Sequence, residues 1–298
     1  MAKNKLKASI YLLLAAAIWG LTFVAQSKGM EHIGTMTFST IRCLIGGVVT
    51  LAMSMNSFLK KRVLEEEGLI VDEAATRRGG LVTGIVLFFA MNIQQIGISQ
   101  TTVGKAGFIT TLYIIVVPIL MMFKGYKLTK KLMACIILAI YGVYLLSVKE
   151  NLTIDRGDLI VFISTIFFSI HILVIAHYSP ITDGLRLNAY QFIVCGILSM
   201  VFAVAFEQVT FEAIRMAIWS ILYASIMSSA VAFTLQIIAL RHIDAALSSL
   251  ISSVESIFAA LGGYLILGEV LSKRELIGCL LMFIAIVAAQ LGTEKNEE

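Results

Sequence analysis

Long apolar runs, each of about twenty residues and divided by short charged clusters, set the terms for this chain. Wound as a helix, a run of that length matches the hydrocarbon thickness of a bilayer. Backbone N–H and C=O groups find no water there, so each run must satisfy them within itself as a helix. The runs fall near 8–26, 35–58, 79–98, 106–123, 131–148, 157–176, 187–206, 214–239, 246–267 and 275–291. The expectation is an all-α integral membrane protein with ten transmembrane helices. A water-soluble domain with 59% hydrophobic and 14% charged residues would lack the polar surface to cover itself. The fourth and fifth runs are short, which calls for little tilt or a locally thinned bilayer.

Cys43, Cys135, Cys195 and Cys279 each lie inside a run, with no paired spacing among themselves or with histidine. They read as small core residues, not as a disulfide frame or a zinc site. The net charge of +4 gives no argument for nucleic acid, because the basic residues sit in short loops. A basic start (Lys3, Lys5, Lys7) leading into an apolar stretch also fits a cleaved leader ending near Ala25-Gln26-Ser27. The apolar part is long for that role, and the internal repeat of the chain needs this helix retained. With the N-terminus placed inside, inner segments hold fifteen Lys and Arg and outer segments seven. That bias orients a multi-pass cell-membrane protein with both termini cytoplasmic, most of it set by the first half. The 59–78 loop, with Glu65, Glu66, Glu67, Asp72 and Glu73, reads as a solvated cytoplasmic connection.

The linker at 149–156 divides the chain into two weakly similar units of five spans, 1–148 and 157–291, with a cytoplasmic tail at 292–298. Trp19-Gly20 matches Phe168-Ser169, Arg42 falls opposite Gln191, and Gln95 opposite Gln236. Val117-Pro118 through Gly142 parallels Glu255-Ser256 through Ala285, with an indel of about five residues. An odd number of spans per half inverts one half relative to the other. Inverted repeats of this kind place a central cavity between two bundles that can rock around it.

Certain stretches carry a closer resemblance. They are Ala17-Ile18-Trp19-Gly20-Leu21-Thr22-Phe23-Val24-Ala25, Arg42, Asn92-Ile93-Gln94-Gln95-Ile96-Gly97 and the segment from Lys105 to Pro118. The second half adds Ser253 through Ala260 and Leu267-Gly268-Glu269. Together they resemble the EamA-like, ten-helix type of drug/metabolite transporter, over residues 8–291. The resemblance implies movement of small organic solutes through a cavity between the repeats, and leaves the solute open. One departure stands out. Where the family commonly has proline after the acid of the ninth span, this chain has Ser256, so the bend expected there is in question.

Charges far inside spans are the sharpest functional signal, since each costs about 2.5–3.5 kcal/mol at a helix centre on insertion scales. Arg42 and Glu255 qualify, at depths of about 11 and 14 Å from opposite faces. They pair directly, meet through substrate, or form a fixed structural bridge. A lone Glu255 facing a cavity is able to exchange protons with each compartment, whereas one beside Arg42 stays a fixed carboxylate. Helical phase collects Trp19, Thr22 and Gln26, then Asn92 and Gln95, then Thr110 and Tyr113, and Ser248, Ser252 and Glu255, with Gln236 on the eighth span. Such stripes turn away from lipid, where they line a wet cavity or bond neighbouring helices. Trp19 with Tyr113 offers an aromatic wall for a flat or cationic solute. His171 is either a proton relay or a neutral, hydrogen-bonded histidine, the plainer role. Pro118 marks a kink or hinge in the fourth span. Gly80-xxx-Gly84 and Ala259-xxx-Gly263 read as close-packing seams, within the chain or between protomers of a homodimer.

These features favour a secondary transporter of amino-acid-like or drug-like solutes, in the export direction, coupled to protons or running as an exchanger. No phosphate-cradling loop is present for ATP drive, and no cofactor or metal is expected. An exchanger of phosphorylated or nucleotide-linked solutes is the alternative, although only Arg42 would meet the phosphate. An intramembrane enzyme is disfavoured, because Arg42, His171 and Glu255 are the only reactive groups inside. A scaffold would want longer docking loops.

Overall fold

The computed structural model describes residues 2–56, 70–123, 125–147, 156–268 and 272–291. Much of the 59–78 loop and the 149–156 linker, Glu269 and the 292–298 tail lie outside these. The first half contains α1 (Ala2–Met30), α2 (Thr35–Met55), α3 (Glu73–Ile98), two half-length helices α4 (Val103–Thr111) and α5 (Tyr113–Met122), and α6 (Lys130–Ser147). The second half keeps the same order: α7 (Arg156–Tyr178), α8 (Gly184–Phe206), a rod built from α9 (Phe211–Leu222), a π-helical stretch (Tyr223–Ala232) and α10 (Phe233–Ala239), then half-length α11 (Ala245–Ser252) and α12 (Glu255–Leu267), and α13 (Lys273–Leu291). No strand occurs among the described residues. Eight stretches among them are long and apolar enough to cross a membrane.

Local chemistry sets the helix starts. Asp72, Thr102, Asp183, Thr210 and Asp244 each turn a side-chain oxygen onto first-turn N–H groups. Helix α2 begins at Gly34, which has no side chain for this task. Glu207, at the end of α8, supplies it from outside: its carboxylate accepts from Met36 N (2.9 Å), Thr37 N (2.8 Å), Thr37 Oγ1 (2.6 Å) and Thr35 Oγ1 (3.4 Å).

The surface and interior exchange the roles they have in a soluble protein. Large apolar side chains such as Leu14, Val48, Phe89, Val204, Phe206 and Trp219 are exposed, while Thr50, Ser164, Asn188, Gln191 and Ser229 are fully buried. Helix α2 packs on α8, α3 on α7 and α8, α1 on α12 and on the rod from α9 to α10, and α6 on α13. Glycines let the α2–α8 crossing close almost to backbone contact. A Cβ on Gly47 would lie 3.1 Å from Ile193 N, and one on Gly196 3.1 Å from Leu44 N. Gly80 and Gly84 likewise abut Tyr190 and Val194 of α8, so that seam lies within the chain.

Two interruptions govern the centre. The fourth run breaks at Leu112, six residues before Pro118, which sits buried inside the continuous turn of α5. At the break Thr111 Oγ1 donates to Phe108 O (2.7 Å), Thr165 Oγ1 to Ile109 O (3.0 Å), and Leu112 N turns to Ile109 O (3.2 Å), three residues back. The ninth run breaks at Ser253–Val254 without any proline. Serines do the equivalent work, Ser253 Oγ bonding Leu250 O (2.7 Å) and Ser256 Oγ bonding Ser253 O (2.8 Å). Hydroxyls that bond back onto their own helix in this way bend it. Tyr113 and Glu255 are each the first residue after a break. Position within the fold therefore pairs Glu255 with Tyr113 and not with Val117, the partner expected from sequence.

Candidate functional site

Between the two breaks lies a partly open cavity that leaves about 50 Å³ for the centres of water-sized molecules. Helix α1 contributes Trp19, Thr22, Phe23 and Gln26; α2 gives Arg42; α3 gives Met91 and Gln94; the fourth run gives Thr110 and Tyr113. From the second half come Phe168, His171 and Ile172 on α7, Phe233 and Gln236 on α10, and Glu255 on α12. Gly20 explains how α1 reaches this wall. A Cβ there would fall 2.6 Å from Glu255 O and 2.7 Å from Ala259 N, so α1 rests directly on the break that presents Glu255.

The walls divide into a charged and an aromatic part. Arg42 is 4% exposed, and its guanidinium donates to Ser229 Oγ (3.1 Å) and Ser228 Oγ (2.8 Å), both on the π-helical stretch. Glu255 is also 4% exposed, and its Oε1 has no hydrogen-bond partner. No ion pair joins the two among the described residues, although both face the same space. Tyr113 stands within electrostatic and hydrogen-bonding reach of Glu255, although its hydroxyl does not meet full hydrogen-bond geometry. Trp19 Nε1 and Gln236 Oε1 are likewise buried and unpartnered. Burying polar atoms without partners costs about 1–3 kcal/mol each, so these groups call for a guest, for water or for one another. The aromatic part centres on Phe233, which makes edge contacts with Trp19 (5.0 Å) and His171 (5.8 Å) between ring centroids.

Several polar groups of the wall are already engaged. His171 Nε2 donates to Gln191 Oε1 (2.8 Å), since an amide oxygen can only accept. Gln191 continues to Asn188 (2.6 Å), which bonds Ser229 O (3.0 Å) and Thr234 Oγ1 (2.9 Å). Gln94 donates to Thr110 Oγ1 (3.0 Å), and Thr22 bonds back to Ile18 O (2.7 Å).

Four residues singled out from sequence lie off the wall. Asn92 turns toward α8 and donates to Ser199 Oγ (2.8 Å). Gln95 stands one layer behind, its Oε1 accepting from Gln26 Nε2 (2.6 Å). Ser252 is buried in α11 without touching the cavity, and Pro118 is enclosed in the body of α5. Gln94 takes the place expected of its neighbours, because one residue along a helix is a rotation of about 100°. Phe23, Met91, Phe168, Ile172 and Phe233 complete the wall. An apolar residue in an apolar span carries no sequence mark that separates a cavity face from a packing face.

The sequence matches the EamA-like transporter family twice, over residues 6–148 and 155–289. The chain belongs to that family. The EamA-like matches cover both halves of the chain and support a multi-pass membrane transporter. An uncharacterized transporter of Archaeoglobus fulgidus is 28% identical over 290 residues, covering 97% of this chain and 87% of the relative. The uncharacterized transporter YoaV of Bacillus subtilis is 23% identical over 287 residues, covering 93% and 94%. A crystal structure with 16% identity superposes with a TM-score of 0.77 over 98% of this chain and 99% of the other, a shared fold.

Proposed function

We propose that this EamA-like protein is a secondary transporter of small zwitterionic, amino-acid-like solutes, working by alternating access. The observation that carries this reading is one cavity holding a buried guanidinium and a buried carboxyl group that form no ion pair with each other. A guest with an ammonium for Glu255 and a carboxylate for Arg42 supplies both missing partners. Trp19 and Phe233 then favour an apolar or aromatic side chain between those ends. In this reading ten helices cross the bilayer, α6 and α13 included, and the two halves run in opposite senses with both termini inside. The packing map supports it, because contacts such as α3 with α7 recur as α1 with the rod from α9 to α10 when the halves are exchanged. Export is the direction we assign, as a monomer or a homodimer.

The test is counterflow in proteoliposomes against amino acids, nucleosides, polyamines and cationic dyes, with and without a pH gradient. Zwitterionic amino acids are expected to exchange. Preference for polyamines or dyes, which lack the carboxylate, would remove Arg42 from the proposed site. Glu255 is also the one acid on the wall, so it is our candidate for proton coupling. Glu255→Gln is expected to abolish the response to a pH gradient while leaving weakened exchange. Driven uptake by that variant equal to wild type would show that coupling does not run through this carboxylate.

A further inference from the structure

Behind the cavity wall one thiol has two sulfur neighbours. Cys43 Sγ on α2 lies 3.5 Å from Cys195 Sγ on α8 and 4.0 Å from Met91 Sδ on α3. The two cysteines are fully buried and Met91 is 2% exposed. We infer that Cys43, Cys195 and Met91 form a binding site for a soft monovalent metal ion, copper(I), with silver(I) as its analogue. Metal–sulfur bonds of about 2.2–2.3 Å in a trigonal set place the sulfurs about 3.9 Å apart, against 3.5 and 4.0 Å from Cys43 to its two neighbours. Two thiolates and a thioether select copper(I) over harder ions. Zinc wants a fourth ligand, and no group of three His, Cys, Asp or Glu converges among the described residues.

The surroundings meet the other requirements of a metal site. Met91 also lines the cavity, which gives the ion a route of entry. Arg42, which has no acid partner among the described residues, stands in electrostatic reach of both cysteines. Binding releases two thiol protons, one from each cysteine, and forms two copper–thiolate bonds without any redox step. The product sums to zero charge: two thiolates, one copper(I) and one guanidinium. A buried cluster of net charge zero is the form an apolar interior tolerates. Ser199 stands beside Cys195 and is held by Asn92, a second layer that fixes the thiol.

The test uses the purified full-length protein in detergent, reduced and metal-free, titrated with copper(I) against a chromophoric chelator. One ion per chain is expected, bound more tightly as pH rises because two protons leave. Cys43→Ser and Cys195→Ser should each weaken binding about tenfold or more, and Met91→Leu by less, while Cys135→Ser, in another cluster, leaves it unchanged. X-ray absorption of the wild-type complex should show sulfur neighbours alone, a readout that no variant's folding affects. Failure to compete with the chelator, nitrogen or oxygen neighbours, or full affinity in the double cysteine variant overturns the site. So does a mass about two daltons lower with no copper, the mark of a disulfide.

Discussion

Arg42 keeps its place in the interior through two hydroxyls, a fork that a planar guanidinium fills and an ammonium does not. Arg42→Lys is therefore expected to raise KM for a zwitterionic solute several-fold with little change in the yield of folded protein, read by uptake kinetics and gel filtration. Gln94→Ala should also raise KM, whereas Asn92→Ala should lower thermal stability more than affinity, since Asn92 serves α8 and not the cavity. Most of the polar wall was legible in the sequence, because amides, acids and hydroxyls in an apolar run announce themselves. Which of Asn92, Gln94 and Gln95 faces inward was not, since that depends on the rotation of α3 against α7 and α8. The pairing of Arg42 with serines in place of Glu255 was equally hidden, because it depends on a serine pair 186 and 187 residues away.

At the scale of elements the two breaks and the π-helical stretch matter most. In the stretch, Phe233 N–H bonds Ser228 O, five residues back. The extra residue rotates α10 about the axis of the rod and brings Phe233 and Gln236 onto the cavity wall. Nothing in Tyr223–Ala232 marks it as π-helical beforehand; the wider turn lets Ser229 Oγ reach Ala224 O (3.0 Å) while Asn188 holds Ser229 O and Ala230 O. Helix starts were legible only approximately, since the third apolar run begins near 79 whereas Asp72 caps a helix that begins at Glu73. Joint replacement of Ser253 and Ser256 by alanine is expected to straighten the ninth run, move Glu255 and lower transport more than stability. Gly20→Ala meets backbone atoms of α12 that cannot swing aside. It should cost about 1–3 kcal/mol, measured as a lower thermal midpoint in detergent, together with lost transport.

For the whole molecule, the twofold exchange of contacts makes a mechanical statement. If the halves rock as proposed, the α2–α8 pair, in contact along its length, has its fulcrum at the glycine contact of Gly47 and Gly196 and its lever tips at the helix ends. Spin labels set beside that fulcrum should read one separation throughout turnover, and labels at the lever tips two. Two separations at the fulcrum would rule out this pivot. Glu207 rides on one such tip, grasping four donors at the start of α2. If the proposed alternation holds, a grasp that tight lasts at one end of the stroke only and behaves as a detent. Loosening it with Glu207→Gln should leave the cavity untouched and shift how long the transporter waits on each side of the bilayer.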